Sequence, residues 1–129
     1  MSRTFKRVLT GLVAVVGMST TGLVATSTGA VAKTCEKERF GYTGQIKCGS
    51  HVKDCPWDEA FAIAPSGTVW HAWPNSGGWQ HMPNGGTAAD THACYLNGNH
   101  YRQVEVVTAA GNIYYSYYDS GWRGWFLYP

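Results

Sequence analysis

An internal repeat of about 44 residues constrains the fold more than any other feature of this sequence. The first copy, residues 60–82, reads AFAIAPSGTVWHAWPNSGGWQHM, and the second, residues 104–125, reads VEVVTAAGNIYYSYYDSGWRGW. When Gly67 is aligned with Gly111, the residue classes match along the whole length, with one gap at Gly77. A repeat of this length is typical of architectures in which one supersecondary unit recurs and stacks on its neighbour.

Each copy has the same order of strands and turns. A short apolar strand (60–64 and 104–108) leads through a glycine turn to an aromatic strand (69–73 and 113–117), and a further strand opens with Gly-Trp. The glycines stand where a hairpin needs positive φ, and the aromatic residues suit a pleated surface. Between the copies, residues 92–96 predict one more strand. The sequence therefore predicts an all-β chain with about four strands per repeat, as in a propeller blade.

Two segments of the repeat resemble a known group of lectins. Residues 69–73, VWHAW, and residues 121–125, GWRGW, resemble the blade repeat of tectonin-type and bacterial fucose-binding propeller lectins. The resemblance covers residues 57–129, and it implies two four-stranded propeller-like blades and a carbohydrate ligand. Two-blade fucose lectins carry a glutamate in the aromatic strand, where this chain has Ala72 and Ser116, so the resemblance does not extend to fucose.

Two blades do not close a ring, and an open pair leaves sheet faces uncovered. Three arrangements are compatible with the sequence. Several copies of the chain assemble one ring, or the chain adds its blades to a larger secreted partner. In the third, the Cys-rich segment 33–57 covers the open face and gives a small, disulfide-braced β-sandwich.

Residues 1–32 predict a cleavable export signal. Three basic residues and no acid in the first seven positions precede an apolar run, which leads to Ala30-Val31-Ala32, the small-x-small pattern of a cleavage site. Glycine, serine and threonine interrupt the run short of the ~20 residues that a membrane-spanning helix needs. The chain is therefore predicted to be secreted, with one domain at residues 33–129 and no membrane span.

Removal of the leader changes the charge and leaves every cysteine in the folded part. Three of the ten basic residues go with the leader, and the remaining seven face eight acids, which gives no reason to expect nucleic acid as a partner. An even number of cysteines in a short exported chain predicts two disulfides. Three pairings are possible, and we favour one that links Cys94 to an N-terminal cysteine and ties the ends of the first repeat together. The cysteines are Cys35, Cys48, Cys55 and Cys94.

Carbohydrate binding is the function that these patterns favour. Sugars are bound by flat aromatic faces with charged or amide side chains nearby. Trp79 and Trp122 open equivalent strands directly after turns, so both are predicted at a blade edge. The predicted carbohydrate-binding residues are Trp79, Trp122, Trp125, Asn75, Asp119, Arg102, Glu105 and Arg123. Four residues of the aromatic strands are predicted to pack in the core instead: Trp70, Trp73, Tyr114 and Tyr117.

Two other classes of function remain open. A protein-interaction subunit of a secreted toxin or adhesion assembly, or a small secreted enzyme inhibitor, would fit an incomplete ring with a Cys-rich N-terminal segment. A secreted glycoside hydrolase would need two converging carboxylates, and the acids are scattered: Asp58, Glu59, Asp90, Glu105 and Asp119. No catalytic motif appears and no two histidines have ligand spacing, so the sequence predicts no enzyme, no cofactor and no metal.

Overall fold

The computed structural model describes residues 33–129, which fold into ten β-strands. The predicted export signal, residues 1–32, lies outside the described residues. The described part of the chain contains no helix that is long and apolar enough to cross a membrane. The strands are β1 Cys35–Arg39, β2 Tyr42–Ile46, β3 Lys53–Cys55, β4 Glu59–Ile63, β5 Val69–Ala72, β6 Gln80–His81, β7 Asp90–Leu96, β8 Arg102–Val107, β9 Ile113–Tyr118 and β10 Trp122–Leu127.

The strands form one hairpin and two four-stranded antiparallel sheets. Strands β1 and β2 make the N-terminal hairpin, β3 to β6 make the first sheet, and β7 to β10 make the second sheet. Within each sheet, consecutive strands are neighbours, because short connections join them, and all but the one between β3 and β4 contain glycine. The prediction of an all-β chain with two four-stranded, blade-like sheets is confirmed. Closure of a ring by further blades stays a prediction.

The two sheets pack face to face around Phe61, which is fully buried. Side chains alternate between the faces of a strand, so Phe61 and Ile63 of β4 point toward Val104 and Val106 of β8. Trp122 meets Phe61 edge to face, with ring centres 5.5 Å apart. Burial of each large apolar side chain contributes roughly 1.5–3 kcal/mol, and this layer holds the larger of the two buried clusters of the described residues.

The N-terminal hairpin covers the other face of the first sheet. That face carries the small side chains Ala60, Ala62 and Ala72, which let the hairpin approach closely, and Ile46 and Trp79 fill the space between the layers. The Cys-rich segment therefore covers one sheet face, as the third predicted arrangement requires. The opposite end of the stack, the outer face of the second sheet, has no covering layer among residues 33–129.

The prediction that Trp79 lies at a blade edge as a sugar-binding residue is wrong. Its side chain is only 1% exposed, and its indole N–H donates to the carbonyl oxygen of Tyr42 at 3.1 Å. Trp79 and its repeat equivalent Trp122 both face the layer that precedes their own sheet. For Trp79 that layer is the hairpin, which seals the ring from solvent.

Two disulfides brace the layers. Cys35–Cys48 closes the N-terminal hairpin, and Cys55–Cys94 joins β3 of the first sheet to β7 of the second. The prediction of two disulfides is confirmed, and the second one spans the first repeat as expected. Stable disulfides indicate an oxidising compartment. The bond that closes the longer loop, with a sequence separation of 39, restricts the unfolded chain more.

We expect Gly44→Ala to destabilise the domain by about 1–3 kcal/mol, the usual cost of overpacking a core. A Cβ at Gly44 would lie 2.8 Å from Cδ1 of Trp79, whose buried ring has no room to retreat. Urea unfolding measures the loss. Gly98→Ala is the matched control, since a Cβ there meets nothing within 4 Å. Equal unfolding midpoints for the two variants would contradict the tight seating of the hairpin.

Candidate functional site

A cleft of about 410 Å³ opens at one edge of the layer between the two sheets. Strands of an antiparallel sheet alternate in direction, so the starts of β4, β8 and β10 lie at the same edge as the ends of β5 and β9. Side chains at these strand ends line the intersheet cleft. The aromatic lining residues are Trp57, Trp73, Tyr118 and Trp122, and the polar ones are Asp58, Glu59, His71 and Arg102.

Glu59 and His71 form a buried pair in the cleft, with side chains 6% and 8% exposed. Nδ1 of His71 lies 2.5 Å from Oε2 of Glu59, and the indole N–H of Trp57 donates to the other carboxylate oxygen at 2.6 Å. These contacts fix the orientation of the imidazole. Its second nitrogen, Nε2, has no hydrogen-bond partner among residues 33–129 and is not sealed from solvent, so it is available to a ligand.

The register of β4 on β5 produces this pair. Phe61 stands opposite His71 in the ladder. Glu59 lies two residues before Phe61 and therefore on the same face of the sheet. The rings of Phe61 and His71 stack with centres 5.5 Å apart, which holds the histidine against the intersheet core.

Arg102 lies at the cleft with its cation unpaired. Its guanidinium carbon is 5.8 Å from the ring centre of Trp57 and 5.9 Å from that of Tyr118. Within residues 33–129 the guanidinium makes no ion pair and no hydrogen bond. The two rings hold the cation at roughly 0.5–1 kcal/mol for each contact. Its five N–H donors are therefore available to acceptors on a ligand.

Accessible aromatic surface completes the cleft. Tyr118 and Trp122 meet edge to face, with ring centres 5.5 Å apart and planes at 76°. On the other wall, the ring of Trp73 lies 4.9 Å from that of His71. Trp73 is 37% exposed and Tyr118 is 42% exposed, so both present surface to a ligand. Among the described residues, no group of three or more His, Cys, Asp and Glu side chains could hold a metal ion.

The cleft brings together two of the eight predicted carbohydrate-binding residues, Arg102 and Trp122. Glu105 and Arg123 lie on the opposite face of the second sheet, because side chains alternate along β8 and β10. Asp119 lines a groove on that opposite face. The structure therefore divides the predicted residues Arg102, Trp122, Glu105, Arg123 and Asp119 between the two faces of the second sheet.

Trp125 and Asn75 lie outside the cleft. Trp125 packs against the intersheet core beside a separate cavity of about 350 Å³, and its indole N–H is buried without a hydrogen-bond partner among the described residues. Asn75 is exposed in the turn after β5, with a φ of 68°, a conformation that asparagine tolerates better than most residues.

Sequence reasoning missed Trp57, Glu59, His71 and Tyr118 as cleft residues and assigned Trp73 to the core. The assignment of Trp73 to the core is wrong, because the residue is 37% exposed. Strand β5 ends at Ala72, so Trp73 lies just beyond the covered part of the sheet. The sequence does contain a signal for two of these residues, Glu59 and His71. Glu59 and His71 flank one predicted hairpin, and the register of that hairpin places them on the same face. Trp70 and Tyr114 do pack against the two cores, as predicted.

Comparison of the chain with protein-family models, with curated proteins and with solved structures gives no match.

Glu59→Ala is expected to lower the free energy of unfolding by about 1–3 kcal/mol for each buried partner that it leaves unsatisfied. Those partners are the Nδ1 atom of His71 and the indole N–H of Trp57. Arg102→Ala is the comparison variant, since it removes only cation–π contacts worth about 1 kcal/mol or less each at an exposed site. Chemical denaturation compares the two. A Glu59→Ala protein as stable as the Arg102→Ala protein would contradict a buried, structurally required pair.

Proposed function

We propose that the protein is a secreted carbohydrate-binding protein of lectin type and that its sugar ligand occupies the intersheet cleft. The observation that carries this proposal is the unpaired guanidinium of Arg102, held between two aromatic rings in a concave site. An arginine that only braced the fold would be expected to pair with a carboxylate or a carbonyl. Arg102 instead keeps its donors free beside accessible tryptophan and tyrosine surface.

The lining chemistry matches a pyranose. A sugar ring has an apolar C–H face, which stacks on aromatic side chains, and a rim of hydroxyl groups, which need donors and acceptors. Trp73 and Trp122 offer the aromatic surface. Arg102 and Nε2 of His71 offer hydrogen bonds, and the exposed carboxylate of Asp58 offers an acceptor.

The size of the cleft limits the ligand. Small-molecule sites in proteins are typically ~300–1,000 Å³, and a cleft of about 410 Å³ lies near the lower end of that range. We expect it to take one or two sugar units, such as the terminal residues of a cell-surface glycan.

Secretion is the second part of the proposal. The two disulfides are compatible with an oxidising, extracytoplasmic setting. The basic start, the apolar run and the small-x-small motif within residues 1–32 support export through a cleaved leader.

A glycan array probed with residues 33–129 tests the cleft. We expect a discrete set of oligosaccharides to bind, and we expect Arg102→Ala to weaken the best of them by about tenfold or more, equivalent to ~1.4 kcal/mol. Arg123→Ala is the matched control, because Arg123 lies on the opposite face and donates to the backbone carbonyl of Asp119. Trp57, Trp73 and Trp122 line the cleft, so binding should also change tryptophan fluorescence.

Two results would overturn the proposal. One is a blank array together with blank pull-downs on cell-wall polysaccharides at high protein concentration. The other is equal binding by the Arg102→Ala and Arg123→Ala proteins.

A protein-interaction subunit is the second candidate function. The uncovered outer face of the second sheet favours it, since a further layer from a partner or another copy could pack there. Native mass measurement separates the candidates. A closed oligomer of this chain alone supports the autonomous lectin, and a monomer that copurifies with a secreted partner supports the subunit.

A further inference from the structure

The outer face of the second sheet forms the floor of a second, open groove of about 1010 Å³. Tyr95, Gln103, Tyr115 and Tyr117 project from three adjacent strands into it, and Asn97 and Asp119 lie at its rim. This groove is separate from the intersheet cleft, because the two open on opposite faces of the same sheet.

The internal repeat shows that this face differs chemically from its counterpart. In the first sheet the corresponding face is centred on Phe61 and packs against the second sheet. In the second copy the alignment of Gly67 with Gly111 puts Glu105 at the position of Phe61. A face that received another sheet would need an apolar centre, whereas this one carries a carboxylate. The composition therefore favours a polar, hydrogen-bonding ligand over a packed protein layer.

The polar groups of this face are held in a fixed network. The Nε2 group of Gln103 donates to the hydroxyl of Tyr95 at 2.9 Å and to Oε2 of Glu105 at 3.1 Å. The Tyr95 hydroxyl in turn donates to Oε2 of Glu105. Burial and the hydrogen bond to Glu105 raise the pKa of Tyr95 well above its ordinary value, so this donor stays protonated. Asn97 donates to Gln103 at 3.1 Å and ties the rim to the floor.

The Glu105 carboxylate belongs to the buried part of this network. Its side chain is only 7% exposed, and Nε2 of His92 lies 3.9 Å from its Oε1 atom. The carboxylate therefore holds Gln103 and Tyr95 in place beneath the groove.

A cluster of aromatic rings around Tyr117 flanks this network, and within it the rings of Tyr115 and Phe126 are inclined to each other by 46°. The rings of Tyr101, Tyr115 and Phe126 are inclined to that of Tyr117 by only 25°, 28° and 24°. The corresponding centre-to-centre distances are 5.7, 6.5 and 6.1 Å. Successive rings at such spacing can each contact a successive unit of an extended chain.

We propose that the outer face of the second sheet binds an extended, neutral polysaccharide chain at a site distinct from the intersheet cleft. The aromatic rings contact the apolar faces of successive sugars, while the rim side chains Asn97, Asn99 and Asp119 bond their hydroxyl groups. The proposal extends the carbohydrate-binding function to a second site and does not depend on the cleft being occupied.

The charges on this face favour a neutral chain over an acidic one. Asp119 brings a carboxylate to the groove, and the buried carboxylate of Glu105 lies in the network beneath its floor. The cations near them are Arg123, which already donates to a backbone carbonyl, and His92, if protonated. A uronate or sulfated chain would place its anions against these carboxylates, and like charges in such contact repel.

Affinity electrophoresis of residues 33–129 through gels containing a neutral polysaccharide tests the proposal. The probes are mannan, soluble β-glucan, glycol chitin and soluble starch, with polygalacturonate as the acidic comparison. We expect at least one neutral polymer to retard the protein and polygalacturonate to retard it less. Tyr117→Ala should weaken the retardation about tenfold or more, and Tyr117→Phe, which keeps the ring, should retain most of it. A thermal melt confirms that each variant is folded.

Two further measurements separate this site from the cleft. All six tryptophans lie elsewhere than on this face, so polysaccharide binding here should leave tryptophan emission unchanged, whereas a cleft ligand should alter it. Arg102→Ala should leave polysaccharide retardation intact. If oligosaccharides fail to bind while this retardation persists, the cleft proposal fails and the present one stands.

Four outcomes would overturn the proposal. In the first, no neutral polymer retards the protein at millimolar sugar-unit concentrations. In the second, a folded Tyr117→Ala protein is retarded as strongly as the parent, and in the third, Arg102→Ala abolishes the retardation. In the fourth, the parent is an oligomer, or holds a copurifying protein, that Tyr117→Ala releases, which would assign the face to protein docking.

Discussion

Face-to-face packing of two small sheets is the contact on which the rest of this structure depends. Phe61 fills the centre of that layer, and Val104 and Val106 meet it from the second sheet. The cleft lies at an edge of the same layer, so its residues are positioned by the core and not by flexible loops alone. Glu59 and His71 show this coupling, since their strands also carry the core residues of the first sheet.

The sequence predicts the strands well because each strand is bounded by a local signal. Glycines with positive φ, such as Gly67 and Gly111, mark the reversals, and runs of apolar and aromatic residues mark the strands between them. The repeat strengthens this prediction, because the two copies independently indicate the same order of strands and turns. The repeat does not indicate which layer covers each sheet. Trp79 was misplaced for that reason, since the hairpin that buries it has no equivalent in the second copy.

The candidate site could be predicted only in part, because it is built from positions that are distant in sequence. Arg102 and Trp122 were identified from residue type and from their place at strand starts. Glu59 and His71 require the register of a hairpin, and Trp57 requires knowledge of the turn that precedes β4. Repeat-equivalent residues also have different surroundings: Trp73 lines the cleft, whereas Tyr117 lies on the uncovered face and not in the core as predicted.

The N-terminal hairpin makes the stack of layers asymmetric in a way that bears on self-association. Repeat architectures whose two ends are complementary add subunits head to tail, and they grow into rings or filaments. Here one end is closed by a hairpin that its own disulfide, Cys35–Cys48, secures. At that end a second molecule meets the hairpin instead of a bare sheet face, whereas the outer face of the second sheet is uncovered among residues 33–129. Head-to-tail addition through both ends of the stack would therefore require the hairpin to be displaced.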